Sequence, residues 1–229
     1  MTLLAVLDVH KIYDVNPPIR ALSGVNFTVS SGERVVVLGK SGSGKSTFLN
    51  IIGLLDHATT GEVSFLGNSI SNLSKREIDK LRADSLGFVF QENHVLGHRT
   101  VQENLHIKLG VSSIPHSEWP LLIEEVLEHV GLAHRQHSYA RLLSGGEKQR
   151  LAVARAVITS PQVLLADEPT GNLDDDNAEK VLMLFDEQAR KGAAVVIITH
   201  DPRLAQRMDR TFYLRDGVLT EQSTHARTS

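Results

Sequence analysis

The run Gly39-Lys40-Ser41-Gly42-Ser43-Gly44-Lys45-Ser46-Thr47 constrains the fold of this chain more than any other feature. It fits the pattern G-x-x-x-x-G-K-[ST], which average composition produces by accident in roughly one chain in a hundred of this size. Before it stands Val35-Val36-Val37-Leu38, a continuous apolar run expected of a strand buried on both faces. After it, Lys45 to Leu55 reads as a helix. A strand, a glycine-rich turn and a helix in that order aim backbone N–H groups at one point, and the helix dipole favours an anion there. Lys45 is expected to reach the β- and γ-phosphates of a nucleoside triphosphate, and the Ser46 hydroxyl to ligate Mg2+. The bland alternative, an ordinary Gly/Ser turn, loses ground once the strand and helix flank it.

The rest of the chain supplies an α/β frame for that loop. Leu3 to Val9, Val25 to Val29, Glu62 to Leu66 and Phe88 to Phe90 read as strands. From Gln91 to about Ser160 helices and loops take over, including a helix from Glu118 to Val130 with Leu122, Ile123, Val126, Leu127 and Val130 on one face. Buried-strand patterns return at Val163 to Ala166 and at Ala193 to Thr199, separated by a helix over about Asn177 to Arg190. Thr211 to Leu214 and Val218 to Thr220 flank Asp216-Gly217 as a hairpin. The tail after Glu221 is polar and expected to fray.

Val163-Leu164-Leu165-Ala166 runs directly into Asp167-Glu168. Two acids at the end of a buried strand belong at the carboxyl edge of the sheet, beside the phosphate loop. Asp167 can hold Mg2+ through water there, and Glu168 is a candidate general base for a water attacking the γ-phosphate. The competing reading is a loop that happens to start with two acids. No N-K-x-D run appears, which disfavours guanine as the base.

Composition removes several function classes. A net charge of -3 gives no basic stripe for nucleic acid. The longest apolar run, Ala193 to Ile198, is far shorter than the roughly 18 residues of a membrane span. The N-terminus lacks the pattern of a secretory signal. With no cysteine, disulfides, thiolate zinc sites and iron–sulfur clusters are excluded. The eleven histidines are loosely spaced, without an H-x-x-x-H helix, and read as solvent-facing. A cytosolic chain is expected, reaching a membrane only through a partner.

A second glycine pair stands in Leu143-Ser144-Gly145-Gly146-Glu147. Ser144 and Glu147 have the S-x-x-E capping-box spacing, so a helix should start here, and a capped helix needs no ligand. The Ser144 hydroxyl, the Gly145-Gly146 backbone and the helix dipole also compose a second anion receptor. This run, followed by Lys148-Gln149-Arg150 and standing in one chain with Gly39 to Thr47, resembles the signature of the ATP-binding cassette (ABC) ATPases.

The resemblance covers Leu3 to about Glu221 and carries further expectations. It implies a P-loop NTPase core of ABC type, with an antiparallel β subdomain and a helical signature subdomain, in a single domain over 1–229. The core would span about 1–90 and 161–221, the helical part about 92–160, and the polar tail 222–229. It implies ATP and Mg2+ as ligands, with Gly39, Lys40, Ser41, Gly42, Ser43, Gly44, Lys45, Ser46 and Thr47 around the phosphates. Tyr13 would stack on adenine, and Gln91 would touch Mg2+ or the lytic water. His200 would contact the γ-phosphate. Asn172-Leu173-Asp174 would form the loop that crosses a dimer seam, although Asp174-Asp175-Asp176 also suits a solvated helix N-terminus. Ser144, Gly145 and Gly146 would complete the site of another subunit, which implies an isologous homodimer, or a pairing with a similar subunit, around two ATP molecules.

Within the family, Thr170-Gly171-Asn172-Leu173-Asp174 looks most like the lipoprotein-releasing and macrolide-export subunits. That likeness implies an integral membrane permease partner and a peripheral place on the cytoplasmic face of the inner or plasma membrane. The segment Glu92 to Thr100, where the partner's coupling helix should dock, lacks the proline often found there in these relatives. Two other readings stay open from sequence alone. One is a soluble ABC protein switching on nucleic acid or the ribosome. The other is a non-hydrolytic binding module, which the presence of Glu168 and His200 disfavours.

Overall fold

A computed structural model describes residues 1–222; the polar tail from 223 onward lies outside the described residues. Two sheets carry the fold. The larger is built from β3 (Arg34–Leu38), β6 (Leu86–Phe90), β7 (Val163–Asp167), β8 (Ala194–Thr199), β9 (Arg210–Arg215) and β10 (Val218–Glu221). Its spatial order is β10-β9-β3-β8-β7-β6, parallel except for the β9–β10 hairpin that closes through Asp216-Gly217. The smaller sheet is antiparallel, ordered β2-β1-β4-β5, from β1 (Thr2–Tyr13), β2 (Ile19–Ser30), β4 (Thr60–Phe65) and β5 (Asn68–Ser69). The expected α/β core with an antiparallel β unit is therefore present.

Six α-helices complete the frame among the described residues: α1 (Lys45–Ile52), α2 (Lys75–Ser85), α3 (Val101–Leu109), α4 (Trp119–His129), α5 (Gly145–Val157) and α6 (Asp175–Arg190). The parallel sheet separates two apolar cores. Val35 and Val37 of β3 face a core shared with α1 and the antiparallel sheet, while Val36 and Leu38 face one built with α3, α4, α5 and α6. Strands covered on both faces read as continuous apolar runs, which is why β3, β7 and β8 stand out in the sequence. Each fully buried Val, Leu or Ile contributes about 1.5–3 kcal/mol of transfer free energy, so this partition dominates stability.

Several elements differ from their sequence-based bounds. The first strand continues past Val9 to Tyr13, because Asp8, at φ 46°, makes an irregularity that breaks the alternation at that point. Helix α1 stops at Ile52, with Gly53 as its cap, three residues before the expected end. Helix α2, which buries only Ile78, is unannounced by apolar periodicity, whereas α3 buries Val101, Leu105 and Leu109 at helical spacing. Both open with full capping boxes, Ser74 with Glu77 and Thr100 with Glu103, which is the same spacing as Ser144 with Glu147.

Candidate active site

The register of the parallel sheet sets the geometry of the site. Leu38 pairs with Thr199, Asp167 with Ile198, and Phe90 with Asp167. The next residues along each chain, Gly39, Gln91, Glu168 and His200, therefore leave the same carboxyl edge, where α/β folds bind ligands. Two backbone bonds tighten that edge: Gly39 N–H donates to Thr199 O at 3.3 Å and Glu168 N–H to Ile198 O at 2.8 Å.

The loop from Gly39 to Thr47 opens α1 without any side-chain cap, which leaves the N-terminal N–H groups of the helix free of a local acceptor. Gly44 sits at φ 103°, and a Cβ there would come within 2.6 Å of Ala21 O, so only glycine fits. Ser43 is buried, and its Oγ has no protein partner among the described residues. An unmet buried hydroxyl amid converging N–H groups suits a phosphate group. Lys45 Nζ donates to Gly39 O at 2.8 Å and to Lys40 O at 3.1 Å, which folds the ammonium over the loop. Lys40, Ser41, Gly42 and Ser43 share one cleft with His200.

Opposite the loop stand the two acids. Burial raises the pKa of Asp167, the Glu168 carboxylate raises it further, and Lys45 pulls it back. Glu168 adopts φ 47°, an uncommon conformation for a residue with a Cβ. Its carboxylate is held at three points: Thr199 Oγ1 donates at 2.6 Å, His200 N–H at 3.0 Å, and His200 Nδ1 lies 2.7 Å away. Facing a carboxylate, Nδ1 must be the protonated nitrogen. The Glu168 side chain is only 12% exposed while that of His200 is 70% exposed, so the imidazole forms the outer wall of the pair. A Ser46 hydroxyl, a Gln91 amide oxygen and an Asp167 carboxylate are all oxygen donors, the set a hard dication such as Mg2+ takes.

Tyr13 ends β1 beside α1. Its hydroxyl donates to Asp56 Oδ2 at 3.2 Å and lies 3.4 Å from Thr47 Oγ1, and Lys11 Nζ sits 4.9 Å from its ring centre. Asp56 also accepts from Lys11 at 2.8 Å, and those bonds hold its carboxyl below the usual range despite partial burial. Gln91 Nε2 lies 3.5 Å from Asn172 Oδ1, and both line a cleft with Gly145 and Gln149.

The second glycine pair is a different kind of helix start. Ser144 Oγ accepts from Glu147 N–H at 3.3 Å, and Glu147 accepts from Ser144 N–H at 2.8 Å. Gly146 lies against α6, where a Cβ would collide with the Asn177 amide. Asn177 in turn bonds Asp174, which caps α6, and accepts from Arg150 of α5 at 3.0 Å. The Ser144 region and the Asp174 region thus form one rigid corner. Among the described residues no hydrogen bond joins Ser144, Gly145 or Gly146 to the loop from Gly39 to Thr47. Sequence reading missed the groups that hold this machinery in place: Asp56, Thr199, Asn177, Gln149 and Arg155. Their partners lie up to 62 residues away, so no local pattern marks them.

The profile of the ABC transporter family matches residues 22–171. The chain belongs to that family. It is an ATPase cassette of ABC type, 37% identical over 95% of its length to the macrolide export ATP-binding/permease protein MacB of Shigella sonnei. It is 39% identical over 97% of its length to the pyoverdine export ATP-binding/permease protein PvdT of Pseudomonas aeruginosa. In both comparisons the cassette spans about a third (34%) of the relative's own length. Among solved structures it resembles the ATP-binding cassette MJ0796 in a dimeric, post-hydrolysis state bound to ADP and Pi. That match has a TM-score of 0.87 and 35% identity, covering 98% of this chain and all of the other. The cassette cbiO1 of Clostridium perfringens, part of the ABC transporter complex cbiONQ, is similar at TM-score 0.84 and 27% identity, over 96% of this chain and 87% of that one. Among the described residues no helix is long and apolar enough to cross a membrane.

Proposed function

We propose that this cassette is the ATP-driven subunit of a membrane export or mechanotransmission complex, and that two cassettes close head to tail around two ATP molecules. The observation that carries the reading is the separation of two helix starts within one chain. One, at Gly44, is uncapped and adjoins Asp167, Glu168 and His200; the other, at Ser144, makes no hydrogen bond to the loop from Gly39 to Thr47 among the described residues. A chain with two half-sites that do not meet needs a second chain to join them. MacB and PvdT pair such a cassette with a permease in one polypeptide, which supports a permease-type partner for this one. Its place is then peripheral, on the cytoplasmic face.

In this reading Tyr13 stacks on adenine, and Gly39 to Thr47 cradle the phosphates with Lys45 against the β- and γ-groups. Ser46, Gln91 and Asp167 would hold Mg2+, which when bound neutralises charge on the phosphates. Glu168 takes the proton of the attacking water. Three of its roughly four lone-pair sites accept from Thr199 and His200, which leaves one for that proton. His200 orients Glu168 through Nδ1, and its exposed Nε2 donates to the γ-phosphate when it too carries a proton. Ser144, Gly145 and Gly146 receive the γ-phosphate bound to the partner, and Asp174 lies at the seam.

Glu168→Gln keeps the size and most hydrogen bonds but removes the base. ATP binding should persist, turnover should fall about 10²–10⁴-fold, and an ATP-dependent dimer should accumulate on gel filtration. Normal turnover in this variant would remove Glu168 from the role of base. A variant that loses turnover yet stays monomeric with ATP would remove the sandwich.

A further inference from the structure

Helix α5 does more than present Ser144, Gly145 and Gly146. Two of its side chains reach back to the carboxyl edge and grip backbone there. Gln149 is 3% exposed, and its Nε2 donates to Phe90 O at 3.2 Å and to Pro169 O at 2.9 Å. Phe90 immediately precedes Gln91, and Pro169 immediately follows Glu168. Both N–H bonds of the amide are thus satisfied, and two facing carbonyls fix which way it points. Arg155 donates to Asn93 O at 2.8 Å through Nη2 and to His94 O at 2.9 Å through Nη1. Those carbonyls lie just beyond Gln91 on its other side.

Burial depresses the Arg155 pKa, yet among the described residues the guanidinium has no carboxylate partner. A half-buried cation compensated only by carbonyl dipoles is a weak way to gain stability, since an apolar side chain of similar volume packs without the desolvation cost. Its geometry suits another task. The planar fork holds two successive carbonyls from two different nitrogens, so it fixes their direction as well as their distance, where an ammonium meets both from one freely rotating centre.

We propose that Gln149 and Arg155 are positioning residues for Gln91: they bracket it on both sides and make its segment move as one body with the signature helix. Any rotation of α5 that brings Ser144 to a partner's nucleotide then carries Gln91 with it, and through Pro169 reaches the chain beside Glu168. The proposal rests on the role assigned above to Gln91 at the Mg2+ and the lytic water.

The test compares Gln149→Met and Arg155→Met, alone and combined with Gln91→Ala. Phosphate release is followed against Mg2+ at saturating ATP, and amide hydrogen exchange is followed over residues 91–96. Each bracket variant should speed exchange in that segment at least tenfold, lower kcat about tenfold and raise the Mg2+ concentration for half-maximal rate. The KM for ATP should stay within twofold. Added to Gln91→Ala, neither should lower kcat further, and Arg155→Lys should restore part of the loss. Unchanged exchange over 91–96, or an equal loss of kcat with and without Gln91, overturns the proposal. If Gln91→Ala itself leaves kcat and the Mg2+ dependence untouched while exchange still rises, the bracket stands and the role given to Gln91 falls. Should Arg155→Met not fold, Gln149→Met makes the same test alone.

Discussion

Helices α1 and α5 start in opposite ways. At α1 no side chain caps the N-terminus, and the donors of the first turn face the cleft beneath Lys45. At α5 one first-turn donor, Glu147 N–H, is already taken by Ser144 Oγ, and Glu147, accepting from Ser144 N–H, sets a carboxylate at the positive end of the helix, while Gly145 and Gly146 keep their N–H groups. Both ends carry the partial positive charge that attracts phosphate, but only the second already holds a carboxylate against it. The difference explains an order of events in the proposed cycle. A single cassette binds ATP at its open end, and the capped end joins later, as a weaker contact across a seam. Weak second contacts let a dimer open again after hydrolysis.

The largest expected effect on this comparison comes from the open end. Lys45→Ala removes the one ammonium folded over the loop, and ATP binding to the monomer should drop beyond about 100-fold by fluorescence titration with a labelled nucleotide. Near-normal affinity would deny the loop its role as the primary receptor. Ser144→Ala comes next. Loss of an N-cap costs about 1 kcal/mol of stability, and the ATP-trapped dimer of a Glu168→Gln background should weaken while monomer affinity for ATP holds. A fall in monomer affinity would mean that the two ends already meet in one chain. Smallest is Glu147→Gln, which keeps the reciprocal cap but deletes the carboxylate. A charge near a helix N-terminus is worth about 0.3–1 kcal/mol, so dimerisation should tighten two- to fivefold at low salt, read by sedimentation. The Ser144 backbone N–H holds the Glu147 carboxyl below its ordinary range. Its charge, and the stability linked to it, is therefore present above the ordinary carboxylate pKa and is lost only as pH falls through the depressed value. The tightening should accordingly be constant from pH 6 to pH 8; a strong pH dependence there would implicate another group.

The same comparison shows how far the sequence could be read. The phosphate loop, the two acids after β7 and His200 after β8 were legible because each follows a strand that is apolar throughout, and parallel register brings those strand ends together. Capping boxes were legible too, but not their meaning. Ser74 with Glu77 and Thr100 with Glu103 cap α2 and α3 with the geometry seen at Ser144. The spacing marks a helix, and only Gly145-Gly146 with their neighbours distinguish the third. Reading the same spacing at Ser74 would have located the helix that apolar periodicity hid, and at Thr100 it would have fixed the start of α3. The bracket of Gln149 and Arg155 was illegible for another reason. Its acceptors are main-chain carbonyls, which every residue has, so no partner type appears in the sequence.

The alternation along β3 has a consequence for redesign. Val35 and Val37 belong with α1 and the antiparallel sheet, while Val36 and Leu38 belong with the α3 to α6 side. The central sheet is therefore a bulkhead whose two sides can be refitted separately. Someone wishing to graft a foreign helical region, shaped for a different permease, would match its apolar face to Val36, Leu38, Leu164, Ala166, Val195 and Ile197, and could leave the nucleotide side of the wall untouched.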